Sequence, residues 1–131
     1  MGLFGGIFGS SKEEKGSDVV AIPWKPLDSI AQLEEIKEES SSIPQVIFKH
    51  STTCGISRMV LNMFKSGYKL EKGQMDFHFL DLHSNRDVSN AVATEFGIAH
   101  QSPQLLIIKN GVVVFKDSHG AISDVQLEKY L

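Results

Sequence analysis

Cys54, in the run Ser51-Thr52-Thr53-Cys54-Gly55-Ile56-Ser57, is the only cysteine in 131 residues. It stands where a β-rich segment gives way to an amphipathic helical one. There the unpaired N–H groups and the positive end of the helix dipole stabilise an anion on sulfur, which makes the thiol a nucleophile. A lone cysteine is otherwise a small hydrophobe of the core, but polar and tiny neighbours are poor company for that role. Thr53 and Gly55 flank the sulfur, and Ser57 falls one helical turn after it. A hydroxyl at Ser57 donates a hydrogen bond to a thiolate but cannot attack a disulfide; the alternative is that it bonds locally to backbone. A reaction cycle on Cys54 therefore halts at a mixed disulfide until a second thiol arrives. Arg58, about one turn on, is placed either to contact a carboxylate on a small thiol or simply to be solvated. An internal disulfide is excluded, and this cysteine usage suits a reducing compartment.

The elements that must position this thiol read as β-α-β-α-β-α-β-β-α. Residues 19–27, with two prolines, form a short edge strand. Asp28 is expected to cap a helix carrying Ile30, Leu33 and Ile36, which stops at Ser40-Ser41-Ser42. Gln45–His50 is a strand that empties into the Cys54 loop. In the helix that follows, Ile56, Met59, Val60, Met63 and Phe64 share one face, and Gly67 ends it. Met75–Leu82 is a strand, and Asn85 opens a helix through Val88, Val92, Ala93 and Phe96 to a stop at Gly97. Ser102-Pro103 leads into Leu105–Ile108, and Asn110-Gly111 joins that run to Val112–Phe115 in a hairpin. Ser123-Asp124 starts a last short helix with Val125, Leu127 and Leu131 as packing residues. Helices between strands argue for parallel pairing, and the terminal hairpin adds an antiparallel strand. The expected fold class is α/β, a central mixed β-sheet with helices on both faces.

Composition narrows the partners. With 13 Lys+Arg against 16 Asp+Glu, a net charge of -3 and 41% hydrophobic residues, the chain suits an ordinary core and offers no basic surface for nucleic acid. Its longest apolar run, Leu105–Ile108, is far too short to span a bilayer. Residues 1–18 mix glycines with Leu3, Phe4, Ile7 and Phe8 before turning charged, and are expected to form a flexible N-terminal tail ahead of one domain over residues 19–131. They make neither a secretory signal nor a myristoylation site, because Gly6 stands where Ser or Thr is needed. His50, His78, His83, His100 and His119 show no paired spacing with a second cysteine, so no metal is expected. His50 and His100 flank the Cys54 region in sequence, where they are placed to tune the thiol, but the favoured expectation is that they lie at the solvated surface.

Cys54-Gly55-Ile56-Ser57 after a strand, Phe96-Gly97-Ile98, Ser102-Pro103 before Leu105–Gly111, and Gly120-Ala121-Ile122-Ser123 together resemble thioredoxin-like proteins. The stretch Phe48-Lys49-His50-Ser51-Thr52-Thr53-Cys54-Gly55-Ile56-Ser57-Arg58-Met59 is closer still to the YtxJ-like monothiol bacilliredoxins, bacterial proteins that use bacillithiol as their small thiol. This resemblance covers residues 19–131. It implies a thioredoxin-like three-layer fold, Cys54 as catalytic nucleophile, and Pro103 as a cis proline beside it, with the Ser102 backbone open to an incoming peptide by strand addition. It further implies a cytoplasmic enzyme of oxidative stress whose partners are S-thiolated client proteins and a low-molecular-weight thiol, with bacillithiol as co-substrate and no tightly bound cofactor. Cys-Gly-Ile-Ser also resembles the motif of monothiol glutaredoxins, which implies a [2Fe–2S] carrier as an alternative. The chain departs from those proteins where His119-Gly120-Ala121 and Gln101-Ser102-Pro103 replace their Gly-Gly and Thr-Val-Pro segments. A non-catalytic thioredoxin-fold binding module is the third reading.

Overall fold

Alternation along two neighbouring strands explains the layering. In a computed structural model that describes residues 21–71 and 73–131, the strands are β1 (Trp24–Pro26), β2 (Gln45–His50), β3 (Asp76–Asp81), β4 (Gln104–Lys109) and β5 (Val112–Ser118). The helices are α1 (Ala31–Glu39), α2 (Gly55–Ser66) and α3 (Arg86–Phe96), followed by two 3₁₀ helices, His119–Asp124 and Leu127–Tyr130. Val46, Phe48, Leu105 and Ile107 point to one side of the sheet, where they pack with Val60 and Phe64 of α2 and with Ile122 and Leu127. Ile47, Leu106 and Ile108 point to the other, against Leu33 and Ile36 of α1 and Val88 and Val92 of α3. Side chains of a strand alternate between faces, so strands apolar at every position must be covered twice. The result is a helix–sheet–helix sandwich.

The strand order is β1-β3-β2-β4-β5. β1 and β2 run parallel to β3, whereas β4 runs antiparallel to both β2 and β5. β1 is an edge strand, consistent with its proline. Its Trp24 ring sits edge-on to Phe48, Phe77 and Phe79 at centroid distances of 6.0, 6.0 and 5.5 Å. The β4–β5 hairpin turns at Asn110 and Gly111, both with positive φ (53° and 80°), as a two-residue turn of this hand requires. Gly97 closes α3 in the left-handed conformation, φ 65°.

Three local expectations are corrected. Asp28 does not cap α1 with its side chain; instead the Gln32 side-chain oxygen accepts the N–H groups of Asp28 and Ser29 at 2.8 and 2.9 Å, capping the helix from inside. The apolar face of α2 is split. Val60 and Phe64 are buried, but Ile56, Met59 and Met63 lie about half exposed, because the sheet covers only a narrow stripe of the helix and buried Ser57 occupies its first turn. The terminal helix is two short 3₁₀ turns, the first ending rather than starting at Ser123-Asp124, and Leu131 is exposed while Leu127 packs. The expected tail over residues 1–18 lies outside the described residues. Among the described residues, no helix is long and apolar enough to cross a membrane.

Candidate redox site at the start of helix α2

Cys54 is the N-cap of α2, in extended backbone (φ -104°, ψ 120°), and its carbonyl accepts the first helical bond from the Arg58 N–H at 3.2 Å. Its own N–H is turned back to the Ser51 carbonyl at 3.2 Å, so the Ser51–Cys54 turn delivers the side chain to the helix mouth. No side chain caps this end of the helix. The first-turn N–H groups are thus left without a side-chain acceptor at the helix end where the half-buried Cys54 sits.

Ser57 is fully buried, and its hydroxyl takes the backbone alternative, with a histidine as a second partner. The oxygen accepts the Ser51 N–H at 3.1 Å and lies 2.8 Å from His50 Nδ1. The backbone donor leaves the hydroxyl proton free to go to Nδ1 when the imidazole carries its proton on Nε2, and in the other tautomer Nδ1–H donates to the same oxygen. His50 itself is buried, not solvated as expected. Burial lowers its proton affinity, Arg58, His83 and Lys65 add to the lowering, and Asp81 opposes it. Ser57 therefore ties the end of β2 to the first turn of α2 and holds the turn that presents Cys54.

Thr53 is anchored by a histidine that spacing did not single out. His83 Nε2 is 3.0 Å from Thr53 Oγ1 and 2.7 Å from Ser51 Oγ, and the His83 N–H donates to Asp81 Oδ1 at 3.1 Å. His83 follows β3, whose end meets that of β2 through the Leu82 N–H to His50 carbonyl bond of 3.0 Å. Thirty residues apart in sequence, the two hydroxyls and the imidazole are neighbours only because β2 and β3 are parallel partners. Arg58 folds back as well, donating through Nη1 to the Thr52 carbonyl at 3.3 Å. Gly55 is the first helical residue; a Cβ there would meet only the far end of Arg58 at 3.9 Å, so the position tolerates a side chain.

The Ser102–Pro103 peptide bond is cis, as the resemblance implied. Because Gln104 pairs with Lys49, one residue before the end of β2, Pro103 lies at the same end of the sheet as the Cys54 loop. The Pro103 carbonyl accepts the His119 N–H at 3.0 Å, and the Ser102 hydroxyl is buried without a partner. Cys54, the Ser51–Thr53 turn, His83 and Ser102-Pro103 are thus gathered at one edge, outside the carboxyl ends of the parallel strands, where α/β sheets place their sites. Lys49 was missed entirely. It is fully buried, with Nζ 3.3 Å from both the Ser89 carbonyl and His100 Nδ1, and burial lowers it to about 8. His100 is exposed, as expected, and turns its Nδ1 toward Lys49. Among the described residues no three of His, Cys, Asp and Glu converge as a metal ion would need.

Residues 25–127 match the family profile described as monothiol bacilliredoxin BrxC. A solved structure described as a candidate oxidoreductase with a thioredoxin fold is 32% identical, with a TM-score of 0.68 over 81% of this chain and 91% of that one. Thioredoxin from Fasciola hepatica is 21% identical (TM-score 0.60, 81% of this chain and 94% of that one), and thioredoxin from Malassezia sympodialis 18% (TM-score 0.62, 79% and 84%). The last two establish the fold alone. The profile match covers most of the sequence, and the chain belongs to the monothiol bacilliredoxin family, thioredoxin-fold proteins of thiol redox chemistry.

Proposed function

We propose that this monothiol bacilliredoxin removes a low-molecular-weight thiol, bacillithiol being the one its family uses, from protein mixed disulfides in the cytoplasm. The Cys54 thiolate attacks the small thiol's sulfur, a new S–S bond forms as the S–S bond to the client breaks, and the client cysteine leaves as a thiolate that takes a proton from water. A second small thiol, as thiolate, then attacks the Cys54-bound sulfur, releasing the symmetric small-thiol disulfide and regenerating Cys54. One disulfide is consumed and one formed, so electrons balance without a cofactor.

The observation that carries this reading is a single partly exposed sulfur at an uncapped helix N-terminus whose one-turn neighbour is serine. Without a second cysteine in the chain, the intermediate waits for an external thiol. Ser102-Pro103, at the same edge, supplies backbone for an extended client segment to pair with. Arg58, tied to the Thr52 carbonyl, stiffens the loop and keeps its remaining guanidinium donors available to substrate.

The test is transfer from an S-thiolated client followed by mass spectrometry of both proteins. Wild type is expected to carry the small thiol on Cys54 when the second thiol is withheld, and Cys54→Ser to carry none and leave the client modified. Full activity in Cys54→Ser would overturn the mechanism. A brown dimer with a bridging cluster after anaerobic reconstitution, and no thiol transfer, would replace it with cluster carriage.

A further inference from the structure

The buried lysine is not used by the thiol chemistry, and its surroundings form a site. A cavity of about 140 Å³ is lined by Leu82, Arg86, Ser89, Asn90 and His100. Lys49 Nζ stands behind its wall, bonded to the Ser89 carbonyl and to His100 Nδ1, and the Ser89 hydroxyl is also 3.3 Å from that nitrogen. With Nδ1 taken by the ammonium, the His100 ring has only its other nitrogen left as a donor. Arg86 and Asn90 are exposed at the rim, and no side chain caps α3, whose first two turns supply Arg86, Ser89 and Asn90. Asp87 is the acidic residue of the first turn, but no carboxylate is paired with Lys49 or Arg86 among the described residues. The shift of Lys49 comes from burial alone, and the one charge acting on His100 is Lys49. A fully buried ammonium with no counter-ion is costly, and an open helix N-terminus beside it points the same way, toward a bound anion.

The cavity also lies at the right end of the molecule. Leu82 lines it and bonds to the last residue of β2, and His100 precedes Ser102-Pro103 by two residues. We propose that this cavity is a binding site for a small carboxylate, the acidic group of the low-molecular-weight thiol that Cys54 exchanges. Arg86 and Asn90 clasp the carboxylate from the rim, the His100 ring donates from the side, and Lys49 neutralises it from behind. The identity of the ligand as a thiol rests on the thiol-transfer reading; the carboxylate site does not.

Two measurements separate them. Peptide mixed disulfides of 2-mercaptosuccinate and of 2-mercaptoethanol are compared as substrates for wild type, Arg86→Gln and Lys49→Met. Wild type is expected to favour the mercaptosuccinate adduct in kcat/KM by about tenfold, the worth of one charge-assisted hydrogen bond. Each variant should erase most of that preference while leaving mercaptoethanol exchange within about twofold. Equal rates on both adducts in wild type, or a preference that survives in both variants, would overturn the assignment. Succinate titrated alone, followed by the His100 ring resonances, tests the cavity without thiol chemistry. A saturable shift in wild type that both variants lose supports the site even if neither adduct reacts and the thiol-transfer reading fails. No saturable shift in folded wild type would sink the site whatever the exchange rates.

Discussion

Replacing Ser57 by alanine separates two jobs that one hydroxyl can do beside a reactive sulfur. In the structure that hydroxyl satisfies two buried groups, the Ser51 N–H at 3.1 Å and His50 Nδ1 at 2.8 Å. Ser57→Ala strands both, and each stranded buried group costs about 1–3 kcal/mol. Some relief comes from a water entering the space, so the expected loss is about 2–3 kcal/mol. For a domain of this size, a Tm falls by roughly 3–5 °C per kcal/mol, which places the variant about 6–15 °C below wild type. The assay is thermal unfolding by circular dichroism at pH 7.5, with thiol transfer at 20 °C measured on the same samples. If the hydroxyl served the thiolate instead, transfer would collapse while the Tm hardly moved. A Tm within about 2 °C of wild type would refute the assignment of Ser57 to His50 and Ser51.

Ser57→Cys puts a second sulfur one turn from Cys54; it is expected to expel a bound small thiol without external thiol and to lose two hydrogens by mass spectrometry, and a persisting adduct would show that the side chains do not meet. His78 is buried, with Nε2 on the Gln45 side chain at 2.7 Å, and burial lowers it to about 4 from an ordinary 6.5. The unfolded chain therefore binds its proton more readily between those values, so stability falls as the pH drops from 6.5 to 4, by about 2–3 kcal/mol from this group. Urea unfolding at pH 7 and 4.5 should show that slope in wild type and a flatter one in His78→Gln. Lys49→Met removes an ammonium held down to about 8 by burial, and a gain of about 1–3 kcal/mol in unfolding free energy at pH 7 is expected after the two lost hydrogen bonds are allowed for. A loss of stability would mean that those bonds outweigh the buried charge.

Local chemistry in the chain was enough to announce much of this molecule. Gln45–His50 is a strand end to end, Asn110-Gly111 turns the hairpin, Gly97 closes α3, and Cys54 opens α2. Each follows from interactions within a few residues: apolar runs bounded by turns, positive φ at Asn-Gly, a helix that begins where polar loop meets amphipathic period. What spacing could not reveal is which residues the sheet brings together. The apolar residues of α2 looked like one face, yet how much of a helix is covered depends on the sheet beneath it, and Ile56, Met59 and Met63 stay outside. His83 reaches Thr53 because β3 lies parallel to β2, and Lys49 reaches His100 because β4, antiparallel to β2, starts beside Lys49 at Gln104. A lysine within an otherwise apolar strand reads as solvent-facing until both faces of that strand are known to be covered. The place of Cys54 at a helix start was written in the sequence because helix-start chemistry is local; the histidines and the buried cation around it were decided by strand order, which is a property of the whole chain.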